Sequence, residues 1–281
     1  RRRHSFPTRR SSDLDVDATR FSPKATLGWN LAPDWTLTAS VAKAYRFATA
    51  AELYQLVTTG VTFTSPDPNL KPDNVLASEL RLERSFARSR VQLALFNDDV
   101  HDAIISQFQP LVPGSQTFYS YISNVDHVRA RGAELVMSEH DVLVRGLELS
   151  GSATYLDART LATSGRASAT APANAAIGKQ LPNIPEWRAN FIATYRPAPR
   201  LAISLGGRYS DAVWTTLDNA DVNPNVYQGF SAWFVADAHA NYRFGSHLSA
   251  TVGADNLLNR KYFLFHPFPQ RTYSSSLKYT F

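Results

Sequence analysis

Asp98, Asp99, His101 and Asp102 form the one dense group of potential metal ligands in the sequence, and carboxylate oxygen with imidazole nitrogen suits a divalent cation. They fall, however, in a segment with strand-like alternation, and strand side chains alternate sides, so the four divide between two faces. They read as solvated residues at a strand end, and no metal is expected there. Ser and His occur elsewhere without an arrangement that marks catalysis. The sequence has no nucleophile elbow, no zinc-binding His pair on a helix and no phosphate-cradling glycine loop. Cysteine is absent, which excludes disulfide scaffolds, thiolate metal sites and cysteine nucleophiles. Neither an enzyme nor a bound cofactor is expected.

The elements that must carry these residues are strands. Ala25, Leu27, Trp29 and Leu31 alternate with Thr26, Gly28 and Asn30, and Trp35, Leu37, Ala39 and Val41 alternate with Thr36, Thr38 and Ser40. Leu76, Leu80 and Leu82 oppose Glu79, Arg81 and Glu83; Val91, Leu93 and Leu95 follow; and a less regular pair of strands is expected over 119–137. The pattern resumes at 147–155, 187–195, 201–209 and 236–244. In the last segment Tyr273, Leu277, Tyr279 and Phe281 share one face, while Thr272, Ser274, Ser276, Lys278 and Thr280 share the other. About eleven such segments can be placed, each near the 9 to 11 residues of a membrane β-strand.

A chain of 281 residues that is 44% hydrophobic, with mean hydropathy -0.26, is neither disordered nor built of membrane helices. No apolar run approaches the roughly 20 residues that a spanning helix requires. Strands that dilute every apolar residue with a polar one are the membrane elements compatible with this hydropathy. The net charge of +5 arises mostly from Arg1, Arg2, Arg3, Arg9 and Arg10. Those residues lie in RRRHSFPTRRSSDL, which resembles a translated sequencing-adapter artefact, so residues 1–14 are set aside as non-native and no nucleic-acid partner is expected.

Connection lengths give the strands a direction. Short turns near Pro33, Ser89, His140, Ala198 and Ser246 alternate with long stretches at 45–74, 105–118, 157–186, 211–231 and 257–270. A soluble sandwich has no reason to keep that order, whereas outer-membrane barrels pair short periplasmic turns with long extracellular loops. Aromatics gather near strand ends, where two membrane interfaces would lie. The fold class expected is all-β, an antiparallel transmembrane β-barrel.

Three stretches go beyond architecture. The first is Ala44-Tyr-Arg-Phe-Ala-Thr-Ala-Ala-Glu-Leu-Tyr54 followed by Pro68, Asn69, Leu70 and Pro72; the second holds Arg131, Gly132 and Glu134; the third holds Asn256, Leu257, Asn259 and Tyr262, then Arg271 and Tyr273 before Phe281. Their order over 20–281 resembles the C-terminal half of the barrel of TonB-dependent outer-membrane receptors. The resemblance implies the C-terminal portion of the barrel over 15–281, about eleven of roughly 22 strands, with the plug domain and TonB-contact segment absent. Each motif also has a structural reading. Asn256 and Asn259 can hydrogen-bond a turn, Pro68 and Pro72 enforce an extended entry to the next strand, and the C-terminal aromatic strand resembles the signal read by the barrel-assembly machinery.

The resemblance further implies a Gram-negative outer-membrane location, contact with outer-membrane lipid, a link to the TonB complex, and uptake of a ferric siderophore or similar metal chelate. Cobalamin, a copper chelate or a glycan are alternative cargoes, and a passive porin or adhesive barrel is the alternative of a different class. For an anionic or aromatic chelate, recognition falls to loop and lumen residues that offer aromatic faces and cations, here Tyr45, Arg46, Tyr54, Trp214, Tyr227 and His266.

Overall fold

The computed structural model describes residues 19–59, 62–110, 118–165, 172 and 174–281; the N-terminal segment 1–14 and the connection 111–117 lie outside the described residues. In chain order the elements are β1 (Lys24–Ala32), β2 (Trp35–Arg46), a short helix α1 (Ala50–Tyr54), β3 (Val57–Thr59), β4 (Thr62–Ser65), β5 (Asp73–Phe86), β6 (Ser89–Pro110), β7 (Phe118–His140) and β8 (Leu147–Ala162). They continue with β9 (Trp187–Ala198), β10 (Leu201–Ser210), β11 (Trp233–Arg243), β12 (Leu248–Asp255), β13 (Phe263–Leu264), β14 (His266–Pro267) and β15 (Thr272–Tyr279).

The main path of the sheet is β1-β2-β5-β6-β7-β8-β9-β10-β11-β12-β15, every neighbour antiparallel. The path holds eleven strands, the number expected, but not the same eleven: one strand stands where a pair is expected over 119–137, and β12 is not among the expected alternating segments. The first and last strands of the path do not pair with each other, so the sheet does not close within the described residues.

Register settles which side chains share a face. The ladder Leu27↔Ala39↔Leu80↔Leu95↔Ala133↔Tyr155↔Trp187 carries one face, and Leu205↔Ala238↔Ala254↔Tyr273 carries the same face further round. Its large members are exposed, including Leu27, Leu80, Leu95, Trp187, Leu205 and Tyr273. The opposite face carries Glu79, Glu134, Thr154, Arg188, Arg208 and Asp237, and the cavities lie against it. A soluble sheet would bury the apolar face, whereas a bilayer dissolves it; polar-in and apolar-out is the arrangement of a membrane barrel.

The segment expected to hold a less regular strand pair, 119–137, is instead one continuous strand, β7. Alternation fails there because the outward face changes solvent. Met137, Leu135 and Ala133 give way to Arg131, Arg129 and His127 as the strand rises out of the apolar belt, although its pairing to β6 continues unbroken. The stretch expected as loop from 105 also remains strand as far as Pro110, paired through Pro110↔Phe118. At 22 residues β6 is roughly 70 Å long, about twice what a bilayer requires. Its upper half therefore stands outside the membrane with that of β7.

Above the end of β8, the free edge of β7 is taken by β4 in parallel register, Thr62↔Phe118 to Ser65↔Tyr121, which removes an exposed strand edge. The preceding helix α1 is started by a capping box, with Thr49 Oγ1 accepting from Glu52 N–H at 3.2 Å and Glu52 Oε2 accepting from Thr49 N–H at 2.7 Å. All described short turns lie at one end of the strands, and the described residues of the long segments 47–72, 163–186, 211–232 and 256–271 lie at the other.

Candidate functional site

Three of the long segments, 163–186, 211–232 and 256–271, are tied to one another over the polar face. Gln180 N–H donates to Asn219 Oδ1 and Asn219 Nδ2 donates back to the Gln180 carbonyl, both at 2.9 Å, which joins 163–186 to 211–232. The 211–232 segment is knotted around Asp221, which accepts from Thr215 N–H (2.8 Å), Thr215 Oγ1 (3.0 Å), Thr216 Oγ1 (2.8 Å) and Asn223 Nδ2. Burial alone pushes the Asp221 carboxyl up, but these donors outweigh it and hold the carboxyl below its usual range. Segment 256–271 is then zipped to 211–232 by Gln228 N–H to the Phe265 carbonyl (2.6 Å) and Phe265 N–H to the Gly229 carbonyl (3.2 Å).

These ties gather aromatic rings at the mouth of the polar face. Trp233, at the start of β11, lies 5.0 Å from the Tyr262 ring, and Tyr262 stacks on Phe268 at 5.0 Å. Tyr227 meets Phe265 at 5.9 Å and His266 at 5.7 Å, and Phe230 lies 6.3 Å from Phe265. Burial pushes the Tyr262 phenol up, with Arg208 opposing this and Asp237 adding to it. Below the rings, a cavity of about 1230 Å³ is lined by Arg188, Asn190, Arg208, Trp233, Asp237 and His239 among others. Asp237 is engaged by Arg208 (3.2 Å) and by the Asn256 N–H (2.8 Å). Arg188 has no carboxylate partner among the described residues. The exposed rings of Tyr227, Phe265 and Phe268 and the Arg188 guanidinium are thus offered at one mouth, a combination suited to binding an anionic or aromatic solute.

Of the residues expected to contact ligand, the fold brings together Tyr227 and His266. It separates Tyr45 from Arg46. Tyr45 belongs to the outward face of β2, with Lys43 over its ring at 5.4 Å. Arg46 turns inward, where Nη1 meets Glu52 at 3.0 Å, Nε meets Asp73 at 3.0 Å and Nη2 donates to the Ile104 carbonyl at 3.1 Å. Its guanidinium is thus occupied in docking α1. Tyr54 is exposed at the end of α1, and the Trp214 carbonyl accepts a backbone bond from Asn183. Sequence reasoning did not single out Arg188, Arg208, Phe230, Phe265 or Phe268. The density of aromatics in Tyr262-Phe-Leu-Phe-His-Pro-Phe268 was the available signal.

The motif residues have defined surroundings. Asn256 is 4% exposed; its Nδ2 donates to the carbonyls of Arg260 (2.7 Å) and Pro269 (3.2 Å), and its Oδ1 accepts from Arg260 N–H (2.7 Å). Asn259 Oδ1 accepts from Arg271 N–H at 3.1 Å, and Leu257 N–H donates to the Ala236 carbonyl. Pro68 and Asn69 form a turn beneath buried Leu70, and Asn124 of β7 clamps both backbone groups of Lys71, just before Pro72. Arg131 pairs with Asp157 at 3.2 Å, and Glu134 accepts from Thr154. Gly132 lies where a Cβ would come within 2.0 Å of the Tyr155 carbonyl oxygen. Tyr273 and Phe281 point outward on the last strand and beyond it.

Alternation divides the acidic group near residue 100 as expected. Asp98 lines a small inward cavity beside Glu79, whereas Asp99 and His101 face outward. What alternation does not reveal is that β7 places His127 directly opposite His101.

The fold has counterparts in known proteins. Over 92% of its length the chain is similar to the ferric enterobactin receptor PfeA of Pseudomonas aeruginosa (TM-score 0.65, 20% identity, 40% of that chain). It is also similar to the siderophore receptor PirA of Acinetobacter baumannii (TM-score 0.64, 17% identity, 41% of that chain) and to the copper transporter OprC (TM-score 0.68, 18% identity, 39% of that chain). In sequence it is 26% identical over 143 residues to the probable TonB-dependent siderophore receptor PiuA of Acinetobacter baumannii, a match that takes in 50% of this chain and 18% of that protein. The chain thus spans well under half the length of these relatives. The family model described as TonB dependent receptor-like, beta-barrel matches residues 2–257. With, among the described residues, an open antiparallel path of eleven spanning strands, apolar outside and polar within, and the long segments at one end, the chain belongs to the TonB-dependent receptor β-barrel family.

Proposed function

We propose that this chain supplies part of the wall and outer vestibule of a receptor that imports a ferric siderophore or similar metal chelate across a Gram-negative outer membrane, using energy transmitted by TonB. The observation that carries this reading is the pairing of exposed rings at the mouth, Tyr227, Phe265 and Phe268, and of Trp233 on the cavity wall, with the lumen cation Arg188. Iron-chelating ligands present anionic oxygens and flat rings, and this mouth offers a partner for each. The siderophore receptors named among the relatives support the same cargo class. Binding at the vestibule involves no covalent step.

Residues 15–281 form the barrel portion in this reading, with 1–14 non-native. Its partners are outer-membrane lipid along the apolar face, the TonB complex through the rest of the receptor, and the barrel-assembly machinery through the last strand. The test is uptake of radiolabelled ferric siderophores by iron-limited cells with and without the intact gene. Loss of uptake of at least one siderophore on deletion is expected. Unchanged uptake of every siderophore tested, with loss of cobalamin, copper or glycan uptake instead, would replace the cargo, and loss of none would favour a passive barrel.

A further inference from the structure

The outward face of the extended β6/β7 ladder carries a cluster with no part in the vestibule. Directly above the apolar belt, outward residues change from Leu93 and Leu95 to Asn97, Asp99 and His101 on β6, and from Leu135 and Ala133 to Arg131, Arg129 and His127 on β7. His101 and His127 are direct cross-strand partners, which places their Cβ atoms about 5 Å apart. Asp99 is on the same face two residues below His101. The result is three donors converging from two strands: Asp99 Oδ1 lies 2.8 Å from His127 Nε2 and 3.1 Å from His101 Nε2, with the imidazole rings stacked at 4.3 Å.

The backbone is irregular next to the cluster. Asp102 has φ 53, its carbonyl is clasped by Asn124 Nδ2 at 2.6 Å, and the register between β7 and β8 shifts between His127 and Val128. Bulges of this kind re-aim side chains and accompany functional sites.

We propose that Asp99, His101 and His127 form a surface site for a divalent transition-metal cation of the zinc class. Two imidazoles and one carboxylate are the three-ligand set of open zinc sites, in which water or another donor fills the fourth position. A tetrahedral ion with bonds near 2.1 Å holds its donors about 3.4 Å apart. The present Asp99–imidazole separations fall short of that by only a few tenths of an ångström. Insertion replaces the Asp99–His127 hydrogen bond and the Asp99–His101 contact with three metal bonds and requires the stacked rings to tilt apart about Cβ–Cγ. Room for that tilt exists, since the His101 side chain is 53% exposed. The donor set favours imidazole-seeking ions over Ca²⁺ and Mg²⁺, which prefer oxygen alone. The site faces away from the lumen, so it is separate from any transport path and does not depend on the cargo assigned above.

The test is titration of Zn²⁺ against a chromophoric chelator, using the full chain in detergent micelles, with Co²⁺ as a spectroscopic probe. Wild-type chain is expected to take up one equivalent of Zn²⁺ that is not displaced by millimolar Ca²⁺ or Mg²⁺, and bound Co²⁺ is expected to show the visible bands of four- or five-coordination. His101→Gln, His127→Gln and Asp99→Asn should each weaken Zn²⁺ at least about tenfold, while His239→Gln, at the separate His239–Asp255 pair, should leave it unchanged. Circular dichroism checks the sheet, and the strand-compatible double variant His101→Thr/His127→Thr serves if a single variant misfolds. Wild-type affinity in folded His101→Gln and His127→Gln, or no stoichiometric uptake by folded wild-type chain, overturns the site.

Discussion

Tyr227 and His266, from two different loops, bring their rings to 5.7 Å above the lumen mouth because Phe265 and Gln228 lock the loops together by backbone hydrogen bonds. If this pair contacts the cargo, Tyr227→Ala and His266→Ala should each weaken binding of the cognate ferric chelate about threefold to tenfold, the scale of one lost ring contact. Intrinsic tryptophan quenching by the chelate measures it. Affinities equal to wild type in both variants would remove the pair from the recognition surface.

The assignment of faces predicts an asymmetry between neighbours on β10. Leu205 is outward and exposed, whereas Ser204 faces the cavity and bonds Thr194 Oγ1. Leu205→Arg should destabilise the lipid-inserted chain by about 2–4 kcal/mol, and Ser204→Arg by about 1 kcal/mol, the value of its hydrogen bond. Urea unfolding in phospholipid vesicles compares them. Equal losses would contradict an apolar outer face.

Gly132 is fixed by its neighbours, since an added Cβ would lie 2.0 Å from the Tyr155 carbonyl oxygen and 2.8 Å from Phe96 Cζ. Gly132→Ala should cost about 1–3 kcal/mol, and adding Phe96→Ala should not restore it, because the tighter clash is with backbone. Rescue by the second change would show that the ring, and not the strand approach, demands glycine.

Arg46 holds α1 by ion pairs to Glu52 and Asp73 while its side chain remains 45% exposed. Solvent screening limits the loss on Arg46→Lys to about 0.5–1 kcal/mol. The effect should appear as faster hydrogen exchange over 47–56 with global stability unchanged. Tyr45→Ala, on the opposite face, should not alter exchange there.

Asp221 gives the 211–232 segment an acid sensitivity of predictable sign. Its carboxyl is held below the ordinary value of 3.8, so the unfolded segment binds more protons than the folded one in that range. The stabilisation is complete above that value and is lost as pH falls through the lowered pKa. Exchange protection in 211–232 should therefore be flat from neutrality to about pH 4 and fall below it. In Asp221→Asn, protection should be reduced at neutral pH and lack this acid step; an unchanged step would assign it to another group.

Face polarity and the alternation of short and long connections were legible in the chain because each is a local property: side chains alternate every residue, and a bilayer selects one parity. Leu27, Leu80 and Leu205 declare their face without reference to any partner. Where the outward solvent changes along a strand, as between Ala133 and Arg131 of β7, that local signal is lost, and only pairing with β6 shows the strand to be continuous. The sites are non-local. Tyr45 and Arg46 are adjacent in sequence yet on opposite faces, whereas Tyr227 meets His266 and His101 meets His127 across long intervals. Sequence thus determined the membrane architecture, and the register and loop ties of the tertiary structure decided which side chains meet, because those contacts depend on strand pairing and loop closure that no short window of residues contains.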